Sequence, residues 1–224
     1  MPNATPLPCL EIGSSRKEAE LCVILMHGLG ADGHDFAEVA MMLTEAAKPD
    51  RWRFILPHAG TLPVTINMGM PMPAWYDILD LSHPRSVDWE TVAKSTRQIE
   101  DLLVAETAEK IVLAGFSQGG AMALHVGLQN QERIAGIASM SGYLLESKDH
   151  PVPSPHDSFP IGIFHGSDDE VVPFSAAELS REALESAGYT PEFYRYPGLA
   201  HSVSQDEIRD FFRWLREQGS PFAT

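Results

Sequence analysis

The sequence predicts an α/β fold, a mostly parallel central sheet with helices on both faces. Three observations predict it: short apolar, β-branched runs recur along nearly the whole chain, the stretches between them repeat apolar residues at helical spacing, and glycine-rich turns follow two of the runs directly.

Six runs read as strands, in chain order LCVILMHG, RWRFILPH, KIVLAGF, IAGIASMSG, PIGIFHG and PEFYRYPG. Apolar runs of this kind suit parallel strands covered on both faces. Between the first two, Phe36, Val39, Ala40, Leu43 and Ala47 keep one helical face apolar. The C-terminal pattern is the clearest. Ser204 with Glu207 forms a capping box, and Ile208, Phe211, Phe212 and Leu215 mark one stripe before Gly219 and Pro221 stop the helix.

Two segments break the alternation. Glu146 to Phe159, ESKDHPVPSPHDSF, reads as a surface loop without chemistry. His58 to Val87 differs in kind, because a loop of that length in a compact domain is functional or disordered, and Met68, Met70, Met72, Trp75, Tyr76, Ile78, Leu79 and Leu81 are too apolar for disorder.

With 224 residues, 44% of them hydrophobic, the chain can bury a sizeable core and is short enough for one domain, residues 1–224. Its formal charge of -15 repels phosphate backbones, so neither nucleic acid nor an anionic membrane is an expected partner. MPNATPLPCLEIGSS lacks the basic start and apolar region of a secretory signal, and LCVILM is too short to span a bilayer. Cys9 and Cys22 make no disulfide framework. A reducing, cytoplasmic setting is therefore expected.

The stretch ILMHGLGADGHDF, Ile24 to Phe36, places Gly28, Gly30 and Gly33 after the first strand. It matches G-x-G-x-x-G, and a dinucleotide-dependent oxidoreductase would use such a loop. That site needs an acid at the end of the second strand for the ribose hydroxyls, and here the strand ends in Pro57 and His58. The loop has another use. A strand ending in His-Gly-Leu-Gly can present backbone N–H groups to an oxyanion.

A second stretch, KIVLAGFSQGGAMALH, sets Gly115-Phe116-Ser117-Gln118-Gly119 between a strand and a helix, the context of a nucleophile elbow. A serine hydroxyl needs a base, and the base needs an orienting group. In the order serine, acid, histidine, the loop after PIGIF offers Asp168, Asp169 and Glu170, and the loop after EFYRY offers His201. Of nine histidines, His201 alone lies downstream of those acids. The Gln118 N–H and one from the HGLG loop would then form the oxyanion hole. His27 precedes the serine and reads as scaffold.

The motifs HGLGADG, PMPAWYDI, GFSQGG, HGSDDEVVP and GLAHS, in this order, resemble the carboxylesterase and acyl-protein thioesterase (phospholipase/carboxylesterase) family of α/β-hydrolases, from Leu21 to about Leu215. The resemblance implies the α/β-hydrolase fold, Ser117 as nucleophile, His201 as base, the backbone of Leu29 and Gln118 as oxyanion donors, and no metal or organic cofactor. The pattern His-Gly-x-x-Asp-x-x-Val-Pro falls on His165, Gly166, Asp169, Val172 and Pro173, which selects Asp169. Many relatives carry an acid at Ser167 and proline at Glu170, a departure that leaves Asp168 as the alternative. The implied activity is a serine carboxylesterase acting on short to medium acyl esters through an acyl-enzyme. Acyl-protein thioesterase or lysophospholipase is the alternative, and the family also implies homodimers. Met70 and Trp75 are expected to line or lid an apolar substrate groove, the competing account being that they pack under a long loop.

Overall fold

The computed structural model describes residues 7–82 and 84–219. The expected helix stop at Pro221 and part of the signal-free start, residues 1–6, lie outside the described residues.

All six predicted strands form, within a seven-stranded sheet. They are β2 (Leu21–Met26), β3 (Trp52–Pro57), β6 (Lys110–Phe116), β7 (Gly136–Met140), β8 (Ile161–Gly166) and β9 (Glu192–Tyr196). Together with β1 (Cys9–Gly13), the sheet order is β1-β3-β2-β6-β7-β8-β9, and every pairing is parallel except that of β1 with β3. β1 escapes the sequence reading because CLEIG is short and carries Glu11, as an edge strand can.

Helices cover both faces: α1 (Ala37–Ala47) and α5 (Gln205–Gly219) on one, α2 (Trp89–Ala105), α3 (Gln118–Gln129) and α4 (Phe174–Ala187) on the other. Strand periodicity assigns the faces. In β2, Leu21, Val23 and Leu25 pack with Leu43 of α1 and Trp214 of α5, while Cys22, Ile24 and Met26 pack with Ile99 of α2 and Leu124 of α3. Because both faces are covered, all six β2 residues are buried.

The C-terminal helix departs from its expected stripe. Phe211 and Leu215 are buried, but Ile208 and Phe212 are only partly covered, and Trp214 and Glu207 are fully buried. The capping box is half made. Ser204 Oγ accepts the Glu207 N–H at 3.1 Å, but the Glu207 carboxyl turns inward and has no hydrogen-bond partner.

The segment 58–87 divides in two. Its first part is a hairpin of β4 (Thr61–Val64) and β5 (Met70–Pro73), joined through a 3-10 turn at Thr65–Asn67. The second part runs back into the core, with Ala74, Trp75 and Tyr76 buried. Asp77 ties the two together by accepting the Thr65 N–H at 2.7 Å and its hydroxyl at 2.6 Å. Residues 146–159 hold no helix or named strand, in line with the expected surface loop.

Candidate active site

Four loops at the carboxyl ends of parallel strands meet in one place: those after β2, β6, β8 and β9 carry Leu29, Ser117, Asp169 and His201. The sharpest of them is the turn from β6 into α3. Ser117 holds φ 54° and ψ -117°, a strained conformation for a residue with a side chain. The surrounding packing fixes it. A Cβ on Gly115 would stand 2.2 Å from the Gly119 backbone, and one on Gly119 would stand 2.2 Å from the Met26 carbonyl oxygen. Only glycines let strand and helix close on the turn at this distance.

His201 Nε2 lies 3.0 Å from Ser117 Oγ, and its Nδ1 lies 2.7 Å from Asp169 Oδ2. A carboxylate only accepts, so Nδ1 carries the proton and Nε2 faces the serine hydroxyl with its lone pair. Asp169 is buried, and its other oxygen accepts the N–H groups of Val171 at 2.9 Å and Val172 at 2.8 Å. Burial pushes the Asp169 pKa up, but hydrogen bonds from His165, His201 and the Val172 N–H outweigh it and hold the carboxyl well below the usual carboxylate range. Asp168 faces solvent and accepts the Ser167 hydroxyl at 2.7 Å.

Gln118 opens α3, so its N–H has no carbonyl to pair with inside the helix. Neither this N–H nor that of Leu29 has an acceptor among the described residues, whereas the Gly30 N–H is engaged by the Pro73 carbonyl at 2.8 Å. His27 is locked: Nδ1 donates to the Gly28 carbonyl at 2.7 Å and Nε2 accepts the Ala59 N–H at 3.0 Å. Burial lowers its pKa and keeps the ring neutral.

A cavity of about 270 Å³ opens above the serine, with apolar walls from Leu29, Ile66, Ile78, Leu81, Phe116 and Val171. The sequence reading placed Met70 and Trp75 here, and the structure places both elsewhere. Trp75 is fully buried, its indole N–H donating to the His27 carbonyl at 2.9 Å and its ring 5.2 Å from the His27 ring. Met70 lies on β5, 48% exposed and outside the cavity walls. Met70 stands on a two-stranded hairpin outside the main sheet, where an apolar side chain can face solvent.

Three contributors were not identified from sequence. The Gln118 side chain accepts the Trp75 N–H at 2.8 Å and donates to the Tyr76 carbonyl at 2.7 Å, pinning the inner part of segment 58–87 beside the elbow. His165, fully buried, donates to the Val172 carbonyl at 2.8 Å and lies 3.4 Å from Asp169. Arg85 reaches the cavity wall from segment 58–87. Of the three, the sequence marks only His165, as the first residue of the His-Gly-x-x-Asp-x-x-Val-Pro pattern, without giving it a role.

Among the described residues, one group brings three potential metal ligands together: Asp32, His34 and His58, within 4.8 Å of one another. Two of the three ligand atoms are hydrogen-bonded to each other and the third to the backbone. His34 Nδ1 bonds Asp32 at 2.9 Å, and His58 Nδ1 accepts the Gly33 N–H at 3.2 Å, which leaves its Nε2 protonated.

Known proteins share this architecture. The chain is 38% identical over 213 residues to the acyl-protein thioesterase 1 of Gibberella zeae, covering 89% of this chain and 91% of that protein. Arabidopsis thaliana SOBER1 superposes with a TM-score of 0.81 at 28% identity, over 90% of this chain and all of that one. Zea mays acyl-protein thioesterase 2, at 24% identity, shares the fold with a TM-score of 0.83 over 95% of this chain and 99% of that one. These neighbours make the fold that of the α/β-hydrolases, no helix among the described residues is long and apolar enough to cross a membrane, and the match of the phospholipase/carboxylesterase family to residues 7–218 makes this chain a member of that family of hydrolases.

Proposed function

We propose that the chain is a serine hydrolase that cleaves acyl thioesters and esters through an acyl-enzyme, with thioesters of apolar acyl groups as the favoured class. The observation that carries it is the hydrogen-bonded series from Ser117 Oγ to His201 at 3.0 Å and from His201 to Asp169 at 2.7 Å, beside the N–H groups of Leu29 and Gln118, which have no acceptor among the described residues.

In the first step, Ser117 Oγ attacks the acyl carbonyl carbon and its proton passes to His201 Nε2. Asp169 stabilises the imidazolium. The tetrahedral oxyanion accepts the N–H groups of Leu29 and Gln118, the latter at the positive end of α3. His201 returns the proton to the departing thiol or alcohol, leaving Ser117 acylated. Water, deprotonated by the same His201, then attacks the acyl carbonyl and releases the acid.

Sequence reading favoured short to medium esters, with thioesterase or lysophospholipase activity as the alternative. Two observations shift the preference towards the thioesterase. The matched relatives in Gibberella zeae and Neurospora crassa, 38% and 37% identical, are acyl-protein thioesterases. Apolar side chains also line the cavity and continue past it, with Leu81 63% and Val171 57% exposed at its rim, a surface suited to an acyl chain. Cys9 and Cys22 are both free, which accords with the proposed cytoplasmic setting.

The test is hydrolysis of p-nitrophenyl esters from acetate to palmitate alongside S-acyl peptides of the same chains, with Ser117→Ala as control. Loss of turnover in Ser117→Ala and a kcat/KM for long-chain thioesters above that for the matched esters support the proposal. Activity confined to short esters returns the carboxylesterase reading. A fully active Ser117→Ala protein removes the mechanism.

A further inference from the structure

Two arginines of this acidic chain are buried, and their surroundings differ. Arg53, 4% exposed, pairs with Glu11 at 2.7 Å and with buried Glu106 at 3.2 Å. Arg85, 9% exposed, has no carboxylate within 4.0 Å among the described residues. One of its terminal nitrogens, Nη2, donates to the Val171 carbonyl at 2.6 Å. Its Nε is buried without a partner among the described residues, and the guanidinium lies 5.2 Å from the centre of the Tyr143 ring. Asp80, exposed, feels this charge only through space.

A buried cation without a carboxylate is costly unless something else supplies the negative charge. Arg85 stands where a ligand can do so. It lines the catalytic cavity together with Ser117, Gln118 and His201. With Tyr143 it also lines a second cavity of about 290 Å³, whose walls carry Glu146 and Glu182. The Tyr143 ring lies against the guanidinium, its hydroxyl bonded to the Tyr76 hydroxyl at 2.7 Å. In a cavity whose remaining walls are mostly apolar, with Asp35 as its acidic lining residue, this is a cationic fork that can hold a planar or tetrahedral oxyanion through two N–H groups.

We propose that Arg85 is an anion-recognition subsite of the catalytic cavity, which takes a carboxylate or phosphate carried by the substrate. The charged group resides either on the acyl chain or on the leaving group. This inference rests on the hydrolase reading of the same cavity, and it makes Arg85 a specificity-determining residue, one that selects a charged substrate over its neutral counterpart.

The experiment compares kcat/KM for charged and neutral partners in two arms. For the acyl arm, the pair is p-nitrophenyl hemiglutarate and its methyl-capped form. For the leaving-group arm, it is 4-acetoxybenzoate and its methyl ester. The charged-to-neutral ratio is expected to fall at least tenfold in Arg85→Gln in one arm, chiefly through KM, which also identifies where the anion sits. Arg85→Lys, which keeps the charge and loses the planar fork, is expected to retain an intermediate ratio. A ratio unchanged within twofold in both arms overturns the proposal. If Arg85→Gln does not fold, Arg85→Lys decides: a charged-to-neutral ratio more than twofold below wild type in one arm supports the proposal, and a ratio unchanged within twofold in both arms overturns it. If wild-type protein hydrolyses neither these esters nor an S-acyl peptide, the hydrolase reading fails and the subsite is judged by calorimetric titration with glutarate against glutaramide. Glutarate binding at least tenfold tighter and weakened in the Arg85 variant supports the subsite, and equal binding of the two overturns it.

Discussion

Asp168 and Asp169 are neighbours in sequence that occupy opposite surroundings: Asp169 is buried, 2.7 Å from His201, and Asp168 is exposed and bonded to the Ser167 hydroxyl. The Asp169→Asn change places an amide where only an acceptor serves, so His201 turns its lone pair to the wrong side. It is expected to lower kcat on an ester by on the order of a thousandfold or more, whereas Asp168→Asn changes kcat by less than about threefold. Steady-state kinetics of the two variants decide between them, and the reverse ranking would move the acid to Asp168.

The contacts around Gly119 give a prediction about stability. An added Cβ would stand 2.2 Å from the Met26 carbonyl oxygen and 2.6 Å from that of His27, both backbone atoms that cannot swing away. Gly119→Ala is expected to cost about 3 kcal/mol, at the upper end for overpacking, and to reduce turnover by displacing Ser117. Gly60→Ala, with nothing within 4 Å of the new Cβ, is expected to stay within about 0.5 kcal/mol. Urea unfolding of the two variants measures the contrast. Equal stability would mean that the elbow is not held by this approach.

The parallel sheet was legible because its strands are buried on both faces, which writes runs such as LCVILM into the sequence. The elbow and its order of partners were legible because the turn requires glycines at fixed offsets. Local signals cannot report contacts between distant segments. Nothing in PMPAWYDI says that Trp75 turns inward to bond the His27 carbonyl while Met70 faces out, because both are large apolar residues in a loop without clear periodicity. Glu207 misled for a related reason. Its spacing from Ser204 fits a capping box, but α5 rotates that position into the interior, where Phe211 and Trp214 also lie. Residues such as His165 and Arg85 matter through what they touch, and their partners are set only by the fold.

The cavity walls predict which side chains set acyl-chain preference. Leu81 lines the cavity and stands 63% exposed at its rim, whereas Met70 lies on β5 outside the walls. Truncating a wall removes apolar contact only with chains long enough to reach it. Leu81→Ala is therefore expected to lower kcat/KM for octanoate relative to acetate by about fivefold, corresponding to roughly 1 kcal/mol of lost apolar contact. Met70→Ala is expected to leave that ratio within about twofold. Ester-series kinetics check both, and a shift confined to Met70→Ala would return the hairpin to the substrate groove.

Glu207 predicts a dependence of stability on pH. The carboxyl is fully buried, and neither oxygen has a hydrogen-bond partner among the described residues. Burial, opposed by the nearby Ser204 backbone N–H and reinforced by the charge of Asp169, raises its pKa from 4.5 to about 8. Below 4.5 the acid is protonated in both folded and unfolded chains and contributes no pH dependence. Between 4.5 and about 8 the unfolded chain releases its proton while the folded chain keeps it, so folding stability falls as pH rises. Above about 8 both states are ionised and the loss is complete. Glu207→Gln cannot release that proton. Its stability relative to wild type is expected to rise by about 3 kcal/mol between roughly pH 5.5 and pH 8.5. Urea unfolding of both proteins at the two pH values reads the difference directly. A constant difference across the range would mean that Glu207 ionises in the folded chain as readily as in the unfolded one, and would place a compensating partner beside it.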